Sequence, residues 1–168
     1  MSIKRLAINA MLMAMAIVLS IVESFIPVFV PGVKLGLANV IILIMLYEFS
    51  IKEAFIVNLL RILLVGLLRG TFLSPTFVMS LSGGMLSFLV MMLFSRIKVF
   101  SAIGVSVLGS ISHSLGQIIA AIFLLSTDAV IYYLPFIGIL SLLTGILSGV
   151  ICRLYLKRSI TSKFIGEE

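Results

Sequence analysis

The stretch NLLRILLVGLLRG, residues 58–70, places two arginines eight positions apart in a run that is otherwise apolar. The whole chain shares this apolar character, because 62% of its residues are hydrophobic and only 11% are charged. Its mean hydropathy is +1.36. Water-soluble domains contain about half apolar and about a quarter charged residues. The composition therefore indicates an integral membrane protein.

A helix that crosses a membrane needs about 20 consecutive apolar residues. Clusters of charged residues, proline and glycine divide this chain into six apolar runs. We therefore expect an all-α membrane protein with six transmembrane helices in one compact bundle, forming a single domain over residues 1–168. The predicted spans are 6–26, 35–49, 54–70, 75–94, 102–125 and 131–155.

Two features mark the beginning of the chain. The first run follows basic residues but is long and lacks a small-residue cleavage site, so we expect a retained helix and not a signal peptide. The second run follows PVFVPGVKLG, residues 27–36, which contains two prolines and two glycines. These residues disfavour a regular helix, and residues 27–34 are predicted to form a loop over the outer mouth of the bundle.

The distribution of basic residues predicts the orientation, since Lys and Arg accumulate in cytoplasmic loops. With the N-terminus inside, only Lys34 and Arg69 fall at the outer surface. We therefore expect a multi-pass protein of the cell membrane with both termini in the cytoplasm. The net charge of +6 then reflects topology and not nucleic-acid binding. The basic tail at residues 152–163 is interpreted as a stop-transfer anchor, with binding to anionic lipid as the alternative.

This topology places several polar residues inside the outer half of the membrane. Arg61 and His113 fall near the middle, and a central arginine costs about 2.5–3.5 kcal/mol on insertion scales. Such side chains should face the bundle interior. Two polar stripes with offsets i, i+3, i+7 and i+11 are Asn58, Arg61, Val65 and Arg69 on the third run and Ser106, Ser110, His113 and Gln117 on the fifth.

The cations in this region outnumber the single carboxylate of Glu23, and a buried cationic surplus favours an anionic ligand. The alternative is structural: Arg61 could pair with Glu23, and Arg69 could extend to the outer head groups. The predicted ligand-binding residues are Glu23, Lys34, Asn39, Asn58, Arg61, Arg69, Ser80, Ser82, His113, Gln117 and Tyr133.

Small residues form a stripe on the first run, at Ala7, Ala10 and Ala14. Because small side chains let helix backbones approach closely, this stripe could pack internally or dock a helix of another membrane protein. Similar seams of Gly and Ser on the fourth and sixth runs are interpreted as internal packing.

The order of these motifs resembles a known family. Six short spans, a small-faced first helix and a polar outer cavity are similar to the substrate-binding S components of energy-coupling factor (ECF) transporters. The closer resemblance is to the Gx transporter family, labelled heptaprenyl diphosphate synthase component I. It extends over residues 7–149 and rests on PGVKLGLANV, LLRILLVGLLRGTF, MSLSGGMLSFLVM, IGVSVLGSISHSLGQ and YLPFIGILSLLTGILSG. The family usually has Asn after His113, so Ser114 departs from it, which weakens any role for this position.

The resemblance to S components implies an importer that takes up a small ligand from the outer side. It also implies a transmembrane coupling subunit and two cytoplasmic ATPase subunits as partners. The alternative reading is a non-catalytic membrane accessory subunit in isoprenoid or quinone metabolism, or in flavin-linked electron transfer.

Catalysis by this chain is not expected. Magnesium-dependent prenyl transfer needs clustered carboxylates, and Asp128 is the only aspartate in the sequence. The G-x-x-x-x-G-K-[ST] phosphate loop is missing, and Cys152 is the only cysteine. We therefore predict no enzyme activity, no cofactor and no metal site.

The predicted topology can be tested by cysteine-accessibility labelling in intact cells, on a background without the native cysteine. Cysteines at positions Ser2, Lys98 and Lys163 should be protected from an impermeant reagent, and those at Val33 and Thr127 should react. External labelling at position 98 would contradict the orientation.

Overall fold

The computed structural model describes residues 3–25, 36–126 and 128–158. The described chain is helical, which confirms the predicted all-α class. The helices are α1 Ile3–Glu23, α2 Asn39–Glu48, α3 Ile51–Leu68, α4 Pro75–Ser95, α5 Ala102–Leu125 and α6 Leu134–Arg158, and a 3-10 helix, Asp128–Tyr133, precedes α6.

Four helical segments are long and apolar enough to cross a membrane, namely Ile3–Glu23, Pro75–Ser95, Ala102–Leu125 and Ala129–Arg158. The prediction of six spans is therefore confirmed only in part. The second predicted span, 35–49, contains a helix of just 10 residues. At 1.5 Å per residue α2 is about 15 Å long, half of a hydrocarbon core of about 30 Å. The sixth predicted span begins as the 3-10 helix and becomes α-helical only at Leu134.

The third predicted span is a helix of 18 residues, α3, but it carries Lys52, Glu53 and Arg61. These charges keep it outside the four apolar segments. The predicted outer loop, residues 27–34, lies outside the described residues.

Serine side chains define where three of the helices begin. Ser50 and Glu53 form a reciprocal capping box at the start of α3. Ser74 and Ser101 accept hydrogen bonds from backbone N–H groups in the first turns of α4 and α5. Each cap satisfies an N–H group that has no partner within its own helix.

The short helix α2 forms the centre of the bundle. Eight of its ten residues are buried, on every side of the helix. It contacts all five of the other α-helices. A helix that is apolar all round belongs in a core, and the large side chains Ile42, Leu43 and Met45 fill this one.

Glycines hold α4, α5 and α6 close together. A Cβ atom on Gly116 of α5 would lie 2.9 Å from the Cα of Gly83 on α4. A Cβ atom on Gly149 of α6 would lie 2.6 Å from the Cα of Ile103 on α5. Larger side chains would separate these backbones, so the small-residue seams on α4 and α6 are internal packing surfaces.

Candidate functional site

The buried face of α1 leads into a polar region at one end of the bundle. The residues of this buried face recur every three or four positions, as expected for one side of a helix. They are Asn9, Leu12, Ala16, Ser20 and Glu23. The last two bring a hydroxyl and a carboxylate beside α2 and α3.

Glu23 joins the end of α1 to the start of α2. Its carboxylate accepts hydrogen bonds from the backbone N–H groups of Gly36 and of Leu37, the latter at 3.1 Å. A carboxylate is favourable here because the N-terminus of a helix carries partial positive charge. Gly36 has a φ of +85°, and a Cβ atom there would lie 3.0 Å from Asn39 Nδ2. Glycine therefore suits this entry into α2.

Arg61 is a buried cation held by neutral side chains. Only 4% of its surface is exposed. Its Nη2 donates to Asn58 Oδ1 at 2.9 Å, and its Nη1 donates to Ser20 Oγ at 3.4 Å. Within the described part of the chain, Nε has no hydrogen-bond partner and the guanidinium makes no salt bridge with Glu23.

A cavity beside Arg61 is formed by α1, α3, α4, α5 and the α3–α4 connection. Its volume is about 20 Å³, which is room for about one water molecule. The lining residues are Ser20, Glu23, Arg61, Ile62, Val65, Gly66, Thr71, Phe77, Ser80 and His113. Four of the predicted ligand-binding residues, from four different helices, thus meet at one cavity.

Three further predicted residues do not line this cavity but make buried hydrogen bonds, two of them with residues that do. Asn58 accepts from Arg61 and donates to the Gly84 carbonyl at 3.2 Å. Gln117 Nε2 lies 3.1 Å from His113 Nε2, within hydrogen-bonding distance. Asn39, at the start of α2, donates to Ser87 Oγ at 3.0 Å. All three amides are buried, so each fixes the position of a neighbour.

The structure places other predicted residues elsewhere. Arg69 is the exposed residue that follows the last residue of α3, so it leaves the stripe that buries Asn58, Arg61 and Val65. Ser82 donates to the Gly116 carbonyl at 2.8 Å, at the α4–α5 contact. Tyr133 lies in the 3-10 helix, where its side chain is exposed and away from the cavity. Lys34 lies outside the described residues.

Several cavity residues were not predicted from the sequence. Ser20 could have been found, because it lies three residues before Glu23 and shares its helix face. Thr71 and Phe77 depend on the path of the α3–α4 connection, which the sequence pattern does not specify.

A second polar cluster was also missed, at the opposite end of α1. Arg5 Nε and Nη2 donate to the Glu53 carboxylate at 2.9 and 2.7 Å. Asn9 Nδ2 donates to the same carboxylate at 2.9 Å. This cluster joins the starts of α1 and α3, residues separated by 48 positions in the chain.

The alanine stripe predicted for partner docking lies on the outer surface of α1. Ala7, Ala10 and Ala14 are all exposed, on the side away from Leu12 and Ala16. In the described residues this stripe is therefore not an internal packing seam. The same residues contain no group of three or more His, Cys, Asp or Glu side chains that could hold a metal ion.

These features define a helical membrane protein with a small polar cavity inside its bundle. The sequence model of the family described as heptaprenyl diphosphate synthase component I matches residues 12–155, and the chain belongs to this family. No curated protein and no solved structure matches the chain. The family description names one component of a synthase, which is compatible with a chain that is not itself an enzyme.

The bonds of Glu23 predict opposite effects of charge removal at the two ends of α2. Glu23→Gln should lower the free energy of unfolding by about 1–2 kcal/mol, because a charged acceptor at the helix start is lost. Glu48→Gln at the C-terminal end should leave stability unchanged or slightly raised, because a carboxylate is unfavourable there. Reversible unfolding in mixed micelles measures both. Equal effects of the two substitutions would contradict the capping role of Glu23.

Proposed function

We propose that this chain is the substrate-binding membrane component of an ECF-type importer, which captures a small anionic or partly apolar molecule from the outer side of the cell membrane. The observation that carries this proposal is the buried guanidinium of Arg61, which lines a cavity and is held by neutral side chains.

The bonding of the two charged residues that line the cavity, Arg61 and Glu23, supports an anionic ligand. A buried cation is costly unless an opposite charge or several hydrogen bonds compensate it. The nearest carboxylate, Glu23, is bonded to the backbone at the start of α2. An anion beside Arg61 could accept a hydrogen bond from Nε and from the hydroxyl of Thr71. Charge-assisted hydrogen bonds of this kind are about twice as strong as neutral ones.

The other wall of the cavity supports a ligand with an apolar part. Ile62, Val65 and Phe77 present hydrocarbon to the same space. Ligand pockets usually enclose about 300–1,000 Å³, far more than the about 20 Å³ found here. Capture of such a ligand therefore requires the cavity walls to move apart, with α1 separating from α3 and α4.

An importer of this type does not supply its own energy. Transport would depend on a transmembrane coupling subunit and two ATPase subunits in the cytoplasm, where both termini of this chain would also lie. The exposed stripe of Ala7, Ala10 and Ala14 offers a flat surface on which a coupling helix could pack.

A second candidate function follows from the family description. As a component of a heptaprenyl diphosphate synthase, the chain would be a non-catalytic membrane subunit in isoprenoid or quinone metabolism. Native mass spectrometry of protein purified from its own membrane separates the two functions. A bound water-soluble small molecule supports the importer, and a bound isoprenoid supports the accessory subunit.

Substitution of Arg61 tests the anion site once that molecule is known. Arg61→Met should leave the thermal stability of the empty protein unchanged or raised, and should weaken binding about tenfold to hundredfold, the equivalent of about 1.5–3 kcal/mol. Arg61→Lys should restore binding only in part, because an ammonium cannot reproduce the planar guanidinium. Thermal shifts with and without the ligand measure both effects.

Arg69→Met is the matched control, because it removes the same group from the exposed end of α3. It should leave the ligand-induced shift unchanged. If Arg61→Met also leaves the shift unchanged, the arginine has a structural role and the ligand does not bind through it.

The docking surface gives a separate prediction. Ala10→Trp and Ala14→Trp should each abolish co-purification with the coupling and ATPase subunits, because a large side chain prevents close helix packing. The isolated variants should stay folded and bind ligand. Ile151→Trp, on the exposed side of α6, is the control and should retain the partners. Normal assembly of both alanine variants would exclude this surface as the docking site.

A further inference from the structure

The connection between α3 and α4, residues 69–74, forms part of the wall of the polar cavity. Among the described residues that line the cavity, only Thr71 lies outside a helix. The helices that carry the other lining residues are joined by buried hydrogen bonds, such as those of Asn58 and Arg61, and by close glycine contacts. The connection is therefore the part of the wall that can move without separating two helices.

The connection begins with an unstrained helix end. Gly70 follows the end of α3 with a φ of +64°, and its N–H donates to the Leu67 carbonyl at 3.1 Å. The N–H of Thr71 donates to the Gly66 carbonyl at 2.9 Å. These bonds satisfy carbonyl groups at the helix end, and glycine adopts a positive φ without steric cost.

Three residues later, a positive φ falls on a leucine. Leu73 has a φ of +61° in a turn that is closed by a bond from the Ser74 N–H to the Thr71 carbonyl at 3.0 Å. A positive φ at the third residue of a turn favours glycine, because a Cβ atom crowds the backbone there. The Leu73 side chain is 74% exposed, so packing within the described chain does not compensate the strain.

Hydrogen bonds and aromatic contacts hold this strained turn against the cavity. Ser74 Oγ donates to the Thr71 carbonyl at 2.6 Å. The Phe72 ring packs edge-on against Phe77, with 5.1 Å between the ring centroids. Phe77 in turn lies against α3, where a Cβ atom on Gly66 would be 2.7 Å from its ring. Strained conformations persist only where the surrounding structure holds them, and they are common at ligand clamps and switches.

We propose that the α3–α4 connection is a gate of the polar cavity, with a closed form that is strained at Leu73. In the open form Leu73 relaxes to a negative φ, the turn from Thr71 to Ser74 opens, and Phe72 leaves Phe77. The strain lowers the free-energy difference between the two forms. This inference rests on the proposed function, because it names the route by which the ligand enters before the separation of α1 enlarges the space.

The gate can be tested on the full chain in detergent without any ligand. Ser80→Cys places a thiol on the α4 wall of the cavity. The native Cys152 on α6 is fully buried and does not line the cavity, so it is an internal control. Mass spectrometry follows the modification of both thiols by methyl methanethiosulfonate. Opening of the gate exposes position 80 alone, whereas unfolding of the bundle exposes both thiols.

Three substitutions of Leu73 change the backbone preference in different directions. Leu73→Gly relieves the strain and should slow modification at position 80 about fivefold, the equivalent of about 1 kcal/mol. Leu73→Pro cannot adopt a positive φ and should speed it about tenfold or more. Leu73→Ala is the matched control, because it removes the side chain but keeps the strain, and it should change the rate by less than about twofold. Cys152 should stay protected in all three variants.

Two results would overturn the gate. One is the same rate at position 80 in the glycine and proline variants. The other is modification of Cys152 in parallel with position 80, because both thiols then become accessible through unfolding. The labelling rates and the identity of the bound molecule are separate measurements, so the gate and the importer can fail independently.

Discussion

The burial of α2 is the constraint on which the rest of the structure depends. This helix is too short to cross a membrane, and the backbone N–H groups of its first turn lie inside the bundle. Unpaired polar groups are costly there. Glu23 of α1 accepts hydrogen bonds at its entrance, and Asn39 anchors its first turn to Ser87 of α4. The other five α-helices then surround its apolar sides.

The bonds at the start of α2 also explain the character of the cavity. The carboxylate of Glu23 is bonded to backbone N–H groups, and within the described residues the hydrogen bonds of Arg61 go to Ser20 and Asn58. The cavity lining therefore combines a fixed guanidinium and the Glu23 carboxylate with hydroxyl groups and apolar side chains. The start of α2 takes up the carboxylate of Glu23, and the Arg61 guanidinium in the neighbouring cavity is left to neutral partners. The proposed anion site follows from this arrangement.

The two sides of α1 have different roles. The side with Ser20 and Glu23 closes the polar cavity, and the opposite side presents Ala7, Ala10 and Ala14 outward. Between this outer side and α3 lies an apolar groove, bounded at one end by the Arg5–Glu53 ion pair. A change in the packing of α1 against α3 would therefore alter the cavity, the groove and the exposed surface together.

Local patterns in the sequence determined the membrane class, the helical structure and the polar faces of α3 and α5, because hydropathy and helical periodicity depend only on near neighbours. Those patterns placed Asn58, Arg61, His113 and Gln117 correctly on buried faces. They could not show that α2 is only ten residues long or that α3 ends before Arg69. Nor could they show which partner Glu23 would take, or that Arg5 and Glu53 would meet across 48 positions. Those outcomes depend on which helices are neighbours and where each one ends, and only the tertiary structure decides that.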